Sequence, residues 1–247
     1  MIVDEVLDAV ERELAAHSSE QVGSLRGPLG SPMITAFVPH PRPEELGHGR
    51  HQVPVAENAY AGLEIKGLLH VHPAGGLPDD ATVDGLQPVT WRGGVSAVVL
   101  RQYRRPERHE VLLPSGIMSV YVSAASVGGR AKMHPIRVQV LPIGRDIGRL
   151  ARCFGAKAAP LCTVDVDGTV FVAADLGLES GDLRLLFAPM YPFQSPTVLA
   201  RTGSGVTSVP ITWDLNVPER LRLELALSVL IGDRAVPWAR IDRSVHE

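Results

Sequence analysis

Cysteine is nearly absent from this chain. Cys153 and Cys162 are the two in 247 residues. Two cysteines exclude a disulfide framework, and they point to a reducing, cytoplasmic setting. Excess positive charge is absent too: 24 Lys and Arg stand against 27 Asp and Glu, for a net charge of −3. No basic footprint therefore argues for nucleic acid as a partner. No apolar run approaches the length needed to cross a membrane, so no membrane association is expected. The first residues, Met1-Ile-Val-Asp-Glu-Val-Leu-Asp8, are acidic and amphipathic, which is not the pattern of a secretory signal. There is no internal repeat and no low-complexity block.

What the chain does have is 24 glycines and 20 prolines spread along its length, as expected of many short strands joined by turns. Its 45% apolar and 21% charged residues are ordinary for a globular protein. The length allows one large domain or two of ordinary size.

The first periodic stretch is helical. Ile2, Val3, Val6, Leu7, Val10 and Leu14 form one apolar stripe of a surface helix ending near Ala16-His17. A short strand is expected from Glu20 through Gly23, Leu25 and Gly27, and another over Met33 to Val38. The polar stretch from Pro39 to Asn58 reads as a loop, and its His40, His48 and His51 read as solvated loop residues. Further strands are expected at Ile65–Leu69, Ser96–Leu100, Val111–Leu113, Ile117–Ala124 and Ile136–Leu141, with Arg101 to Arg108 as a charged hairpin tip.

The pattern changes around Pro142-Ile-Gly144. Ile147, Leu150, Ala151 and Phe154 mark a second helix. Strands at Leu161–Val166, Thr169–Ala174 and Leu183–Phe187 follow, the first two joined by an Asp165-Val-Asp167-Gly168 turn. After Tyr191-Pro-Phe193-Gln-Ser-Pro196 comes a strand at Thr197–Ala200, then a Gly/Ser/Thr loop to Ser208. Pro218 opens a long helix with Leu221, Leu225, Leu227, Val229 and Leu230 turned inward. Two domains are expected, residues 1–141 and 142–247.

The chemistry concentrates in Gly67-Leu-Leu-His70-Val-His72-Pro73 and the loop after it. Residues i and i+2 of a strand share a face, so both imidazoles can reach one ion. Pro73 and Gly75-Gly76 break the strand into a loop that carries Asp79, Asp80 and Asp84. Two His and a carboxylate, with a fourth position open, form a catalytic zinc pattern. The plainer alternative is a pair of surface histidines at a strand end. Hydrolysis at such a site also needs a carboxylate that takes a proton from water and passes it to the leaving amine.

Residues 1 to about 140 resemble the JAB/MPN/JAMM metalloprotease family. The resemblance rests on Glu20 ahead of a strand with Gly23, Leu25 and Gly27, then His70-Val-His72-Pro73, then a downstream Asp. It implies a mixed-sheet, cytidine-deaminase-like α+β fold. It also implies Glu20 as general base and His70, His72 and an Asp as zinc ligands. The family cleaves isopeptide or peptide bonds after the C-terminus of ubiquitin-like or sulfur-carrier proteins.

The loop departs from the family pattern. Seven residues usually separate the second His from a Ser, with the Asp three further on; that spacing falls here on Asp80 and Val83. One extra loop residue puts Ala81 at the Ser position and Asp84 at the ligand position, which we prefer; Asp79 and Asp80 stay open as alternatives. Either alignment removes the Ser that helps stabilise a developing oxyanion, a loss on the order of a hundredfold or more in rate. Thr82 is a candidate substitute.

Residues 142 to about 232 resemble the ubiquitin-conjugating-enzyme fold, through the strand leading into Tyr191-Pro-Phe193-Gln-Ser-Pro196, then Trp213 and the 218–231 helix. That family carries a nucleophilic Cys some 25 residues past the Tyr, yet no Cys lies between Tyr191 and Trp213. Cys153 and Cys162 read as small buried residues. The second domain is thus expected to be an inactive variant that recruits substrate.

Two functions follow. One is a zinc isopeptidase acting on a ubiquitin-like or sulfur-carrier protein, with conjugating or adenylating enzymes as further partners. The other is a non-catalytic adaptor built from two degenerate domains. A metal hydrolase of unrelated fold needs only the His pair, and leaves Glu20 and the Tyr191 turn as coincidences.

Overall fold

The computed structural model describes residues 1–17, 21–40, 63–72, 94–102, 104–124, 132–178, 181–202 and 205–231. The fold is mixed α+β, with extensive sheet and few helices. The chain divides into two compact units, Met1–Leu141 and Pro142–Glu247.

In the first unit a short strand β1 (Ile2–Val3) leads into helix α1 (Asp4–Ala16). Val6, Val10 and Leu14 are its buried stripe, four residues apart as a single helix face requires. The main sheet contains β2 (Gln21–Pro28), β3 (Ala36–Pro39), β4 (Leu63–Val71), β5 (Val95–Leu100), β6 (Glu110–Leu113), β7 (Gly116–Ala124) and β8 (Lys132–Ile136). Its order is β3-β2-β4-β5-β7-β6, with β8 also on β7. The β4–β5 pair is parallel and the others are antiparallel.

The central strands are buried on both faces. Leu69, Ala97 and Val99 fill one face, and Leu68, Val98 and Leu100 the other. Two-sided burial gives a near-continuous apolar run rather than alternation, which is why β4 and β5 stand out in the sequence. Arg101, just past β5, ties this sheet to α1: its guanidinium donates to the carbonyl oxygens of Leu14, at 2.8 Å, and His17. It serves the C-terminal carbonyls that a helix leaves unsatisfied and that no basic residue of the last turn of α1 reaches.

Two expectations for this unit change. The stretch Arg101–Arg108 is a crossover rather than a hairpin tip, because β5 and β6 lie on opposite sides of β7. The strand expected over Ile136–Leu141 is two pieces with different partners: β8 pairs with β7, and β9 (Val140–Leu141) runs parallel to β1.

The second unit opens with α2 (Ile143–Phe154), closed by Gly155 in the left-handed region at φ 62°. A meander follows: β10 (Lys157–Ala158), β11 (Cys162–Val166), β12 (Thr169–Leu178), β13 (Gly181–Phe187), β14 (Thr197–Thr202) and β15 (Gly205–Val209). The order is β10-β12-β13-β14-β15, with β11 on β12 and every pair antiparallel. Helix α3 (Glu219–Ile231) ends the described chain.

Asp167 and Gly168, both at positive φ, form the two-residue turn between β11 and β12. Alternation sets the buried face: Ala174 opposes Leu185, Leu176 opposes Leu183, and Leu185 opposes Val198. On the other face Asp175 opposes Arg184, which donates to it at 2.6 and 2.7 Å.

Here too the structure corrects the sequence reading. The stretch expected to be a loop as far as Ser208 contains β15, paired with β14. The residues that α3 buries are Arg222, Leu223, Ala226 and Leu227, while Val229 is exposed. Cys153 and Cys162, expected to be buried, are both exposed.

Candidate metal centre

The local fold that presents the histidines depends on tight strand spacing. On β2, a Cβ at Gly23 would run into the Phe37 ring, and would lie 2.8 Å from the Val38 carbonyl oxygen. A Cβ at Gly27 would overlap the Met33 carbonyl oxygen. The obstacle at Gly27 is backbone, which cannot rotate away as a side chain can. Gly27→Ala is expected to cost about 1–3 kcal/mol and to lower the thermal midpoint by several degrees, read by a circular dichroism melt.

Seated this way, β2 runs antiparallel to β4, with Gln21 opposite Val71 and Val22 opposite His70. On its other side β4 carries β5 in parallel, with Val98 beside His70. The His72 amide extends that ladder by donating to the Val99 carbonyl at 2.9 Å.

His70 and His72 therefore leave the end of β4 on one face, as expected. Each is only 8% exposed, which replaces the picture of solvated surface histidines. Their ring centres lie 4.9 Å apart, with the planes tilted by 45°. Two imidazoles sharing a tetrahedral ion at the usual bond lengths have ring centres roughly 5 Å apart, so the pair fits joint ligation. The Nε2 atom of His72 is buried and has no hydrogen-bond partner among the described residues. A buried imidazole nitrogen without a partner is costly, and a cation would satisfy it. The donor chemistry thus fits zinc as far as two ligands go.

Glu20, Asp84 and the alternatives Asp79 and Asp80 lie outside the described residues, as do Ala81 and Thr82. Among the described residues, no group of three or more His, Cys, Asp or Glu side chains is placed to hold a metal ion.

Two polar groups escaped the sequence reading. Ser96 is fully buried on β5, opposite Leu68, on the same sheet face as His70; its Oγ has no partner among the described residues. Its alternation with Val98 and Leu100 was the available signal. His40 is not a solvated loop residue either. Its amide donates to the Val22 carbonyl at 2.9 Å, which puts it in one row with Val22 and His70 across the sheet. Burial and then the neighbouring Arg26 charge lower its pKa, and its Nδ1 is buried without a partner among the described residues. His48 and His51 lie outside the described residues.

In the second unit Tyr191 is buried and donates to the Asp146 carboxylate of α2. Burial and the Asp146 charge push the phenol pKa far up. Partial desolvation and then Glu224 raise the pKa of the Cys153 thiol.

No helix among the described residues is long and apolar enough to cross a membrane. No protein-family model matches the chain, and no curated protein matches it. Among solved structures, a JAB1/MPN domain protein from Archaeoglobus fulgidus is similar over 56% of this chain and 96% of its own, at 16% identity and a TM-score of 0.33.

Proposed function

We propose that the first unit is a zinc-dependent peptidase or isopeptidase that cuts after the C-terminus of a ubiquitin-like or sulfur-carrier protein, and that the second unit recruits the substrate. The observation that carries this reading is the His70–His72 pair, with its buried, closely spaced rings and the unpartnered Nε2 of His72. The ligands would be His70, His72 and Asp84. Bound zinc would supply a Lewis acid. Glu20 would take a proton from the attacking water and hand it to the leaving amine. In the sequence it immediately precedes β2. Conjugating or adenylating enzymes are further candidate partners in this reading.

A second reading, a non-catalytic adaptor, is favoured by specific features. The loop lacks a Ser at the oxyanion position, and the second unit has no cysteine between Tyr191 and Trp213. Cys153 and Cys162 both precede Tyr191, so neither stands at the nucleophile's place in the sequence.

A linear fusion of a ubiquitin-like protein to a reporter separates the two. The purified chain is expected to release the reporter, to stop when a zinc chelator is added, and to recover when zinc is restored. A zinc-loaded chain that binds the fusion without cutting it establishes the adaptor instead.

A further inference from the structure

The described part of the second unit carries a cluster that neither reading uses. Arg145, Arg149 and Arg152 sit at i, i+4 and i+7 of α2 and so share one stripe of that helix. Together with Pro218, Glu219 and Arg220 at the start of α3, they line a shallow cleft of about 510 Å³. Arg149 is fixed by Asp146, to which it donates at 2.6 Å. The Arg152 guanidinium folds back over Gly148, coming within 3.7 Å of where a Cβ would sit. Neither Arg152 nor Arg220, both exposed, has an ion-pair partner among the described residues.

Like charges one turn apart on a helix repel, each pair costing a few tenths of a kcal/mol. Four guanidinium groups line the cleft against one carboxylate, Glu219; with Arg149 also paired to Asp146, the cleft keeps a net positive charge in a chain of net charge −3. An anion in the cleft relieves the remaining repulsion, and the first turn of α3 adds its positive dipole end.

The lining narrows the class of anion. It has no aromatic residue and a single apolar one, Pro218, so recognition is by charge and hydrogen bonding rather than by stacking. The arginine stripe spans only about 10 Å along α2. That is short for a nucleic-acid track, whose affinity grows with the number of phosphates neutralised. It suits a few adjacent phosphoryl groups, each matched by a guanidinium fork. We propose that this cleft binds a compact polyvalent phosphate anion.

Sodium tripolyphosphate titrated into the full chain at low salt tests this by calorimetry. Saturable binding and an upward shift of the thermal midpoint are expected. Arg152→Glu combined with Arg220→Glu should weaken binding at least tenfold. Arg152→Gln with Arg220→Gln should weaken it by less, and thermal melts of both variants confirm that they fold. Arg105→Glu, at an exposed arginine of the first unit, should change nothing; heat from zinc stripping would persist in all variants. No binding at about 1 mM tripolyphosphate, or affinity unchanged by the double exchanges, overturns the assignment. So does tighter binding of an oligoglutamate peptide or a short single-stranded oligonucleotide that tripolyphosphate fails to displace; the cleft is then an acidic-protein or nucleic-acid contact.

Discussion

Glu20→Gln is expected to lower cleavage of a ubiquitin-like fusion by about a hundredfold to ten-thousandfold, the usual worth of a positioned proton carrier, while zinc content stays at the wild-type level. The amide keeps the size of the carboxylate and removes its basicity. The loss should fall on kcat rather than on KM, because the proton moves only in the transition state. Retained metal is the informative control. His70 on β4 and His72 one residue past its end have buried, adjacent rings. Full activity in the Gln variant would remove Glu20 from the reaction and leave the His pair to be explained by another base. Loss of zinc together with activity would make Glu20 a ligand or a support of the ligands.

The second large effect is structural. Arg222→Met should cost roughly 3–5 kcal/mol and lower the melting midpoint of the second unit by more than about 10 °C. Arg222 is 8% exposed and serves four backbone carbonyls. It donates to Pro192 at 2.7 Å, Asp214 at 3.1 Å, Val217 at 3.1 Å and Leu215 at 3.3 Å. The Pro192 carbonyl also accepts from the Trp213 indole at 3.3 Å, and the guanidinium lies 5.8 Å from the centre of that ring. One side chain therefore holds the Tyr191–Pro196 turn, the Trp213 segment and α3 together.

Methionine fills much of the volume but leaves those carbonyls short of donors. Lysine keeps the charge but cannot fork to four acceptors, so Arg222→Lys should recover little. Melting of the Met variant within about 2 °C of wild type would show that the turn is held by packing alone.

The elements easiest to read from the sequence are those where burial imposes a simple period. The apolar stripe of α1 repeats every four residues, and β12 and β13 alternate inward leucines with outward Asp175 and Arg184. The turn at Asp167-Gly168 is legible because few residue pairs tolerate two successive positive φ angles. The pairing of His70 with His72 follows from the same two-residue period.

What escaped reading depends on partners distant in sequence. Arg222 on a helix looks like a solvated charge until the carbonyls of Pro192 and Asp214 surround it. That knot, rather than the leucine pattern, fixes which side of α3 is buried. The strand β15, Gly205-Val-Thr-Ser-Val209, buries little and becomes a strand through its ladder with β14. Ser96 and His40 look unremarkable singly, and become notable when the register places both on the face that carries His70. Glu20 and Asp84 were singled out by motif alone, and they lie outside the described residues.

Zinc stoichiometry is the most direct measurement. After equilibration with zinc and removal of loose ion, the wild-type chain is expected to hold about one zinc, and His70→Ala and His72→Ala to hold close to none while still melting cooperatively. A wild-type chain that retains no zinc, or variants that retain as much as wild type, would contradict a metal centre at the end of β4.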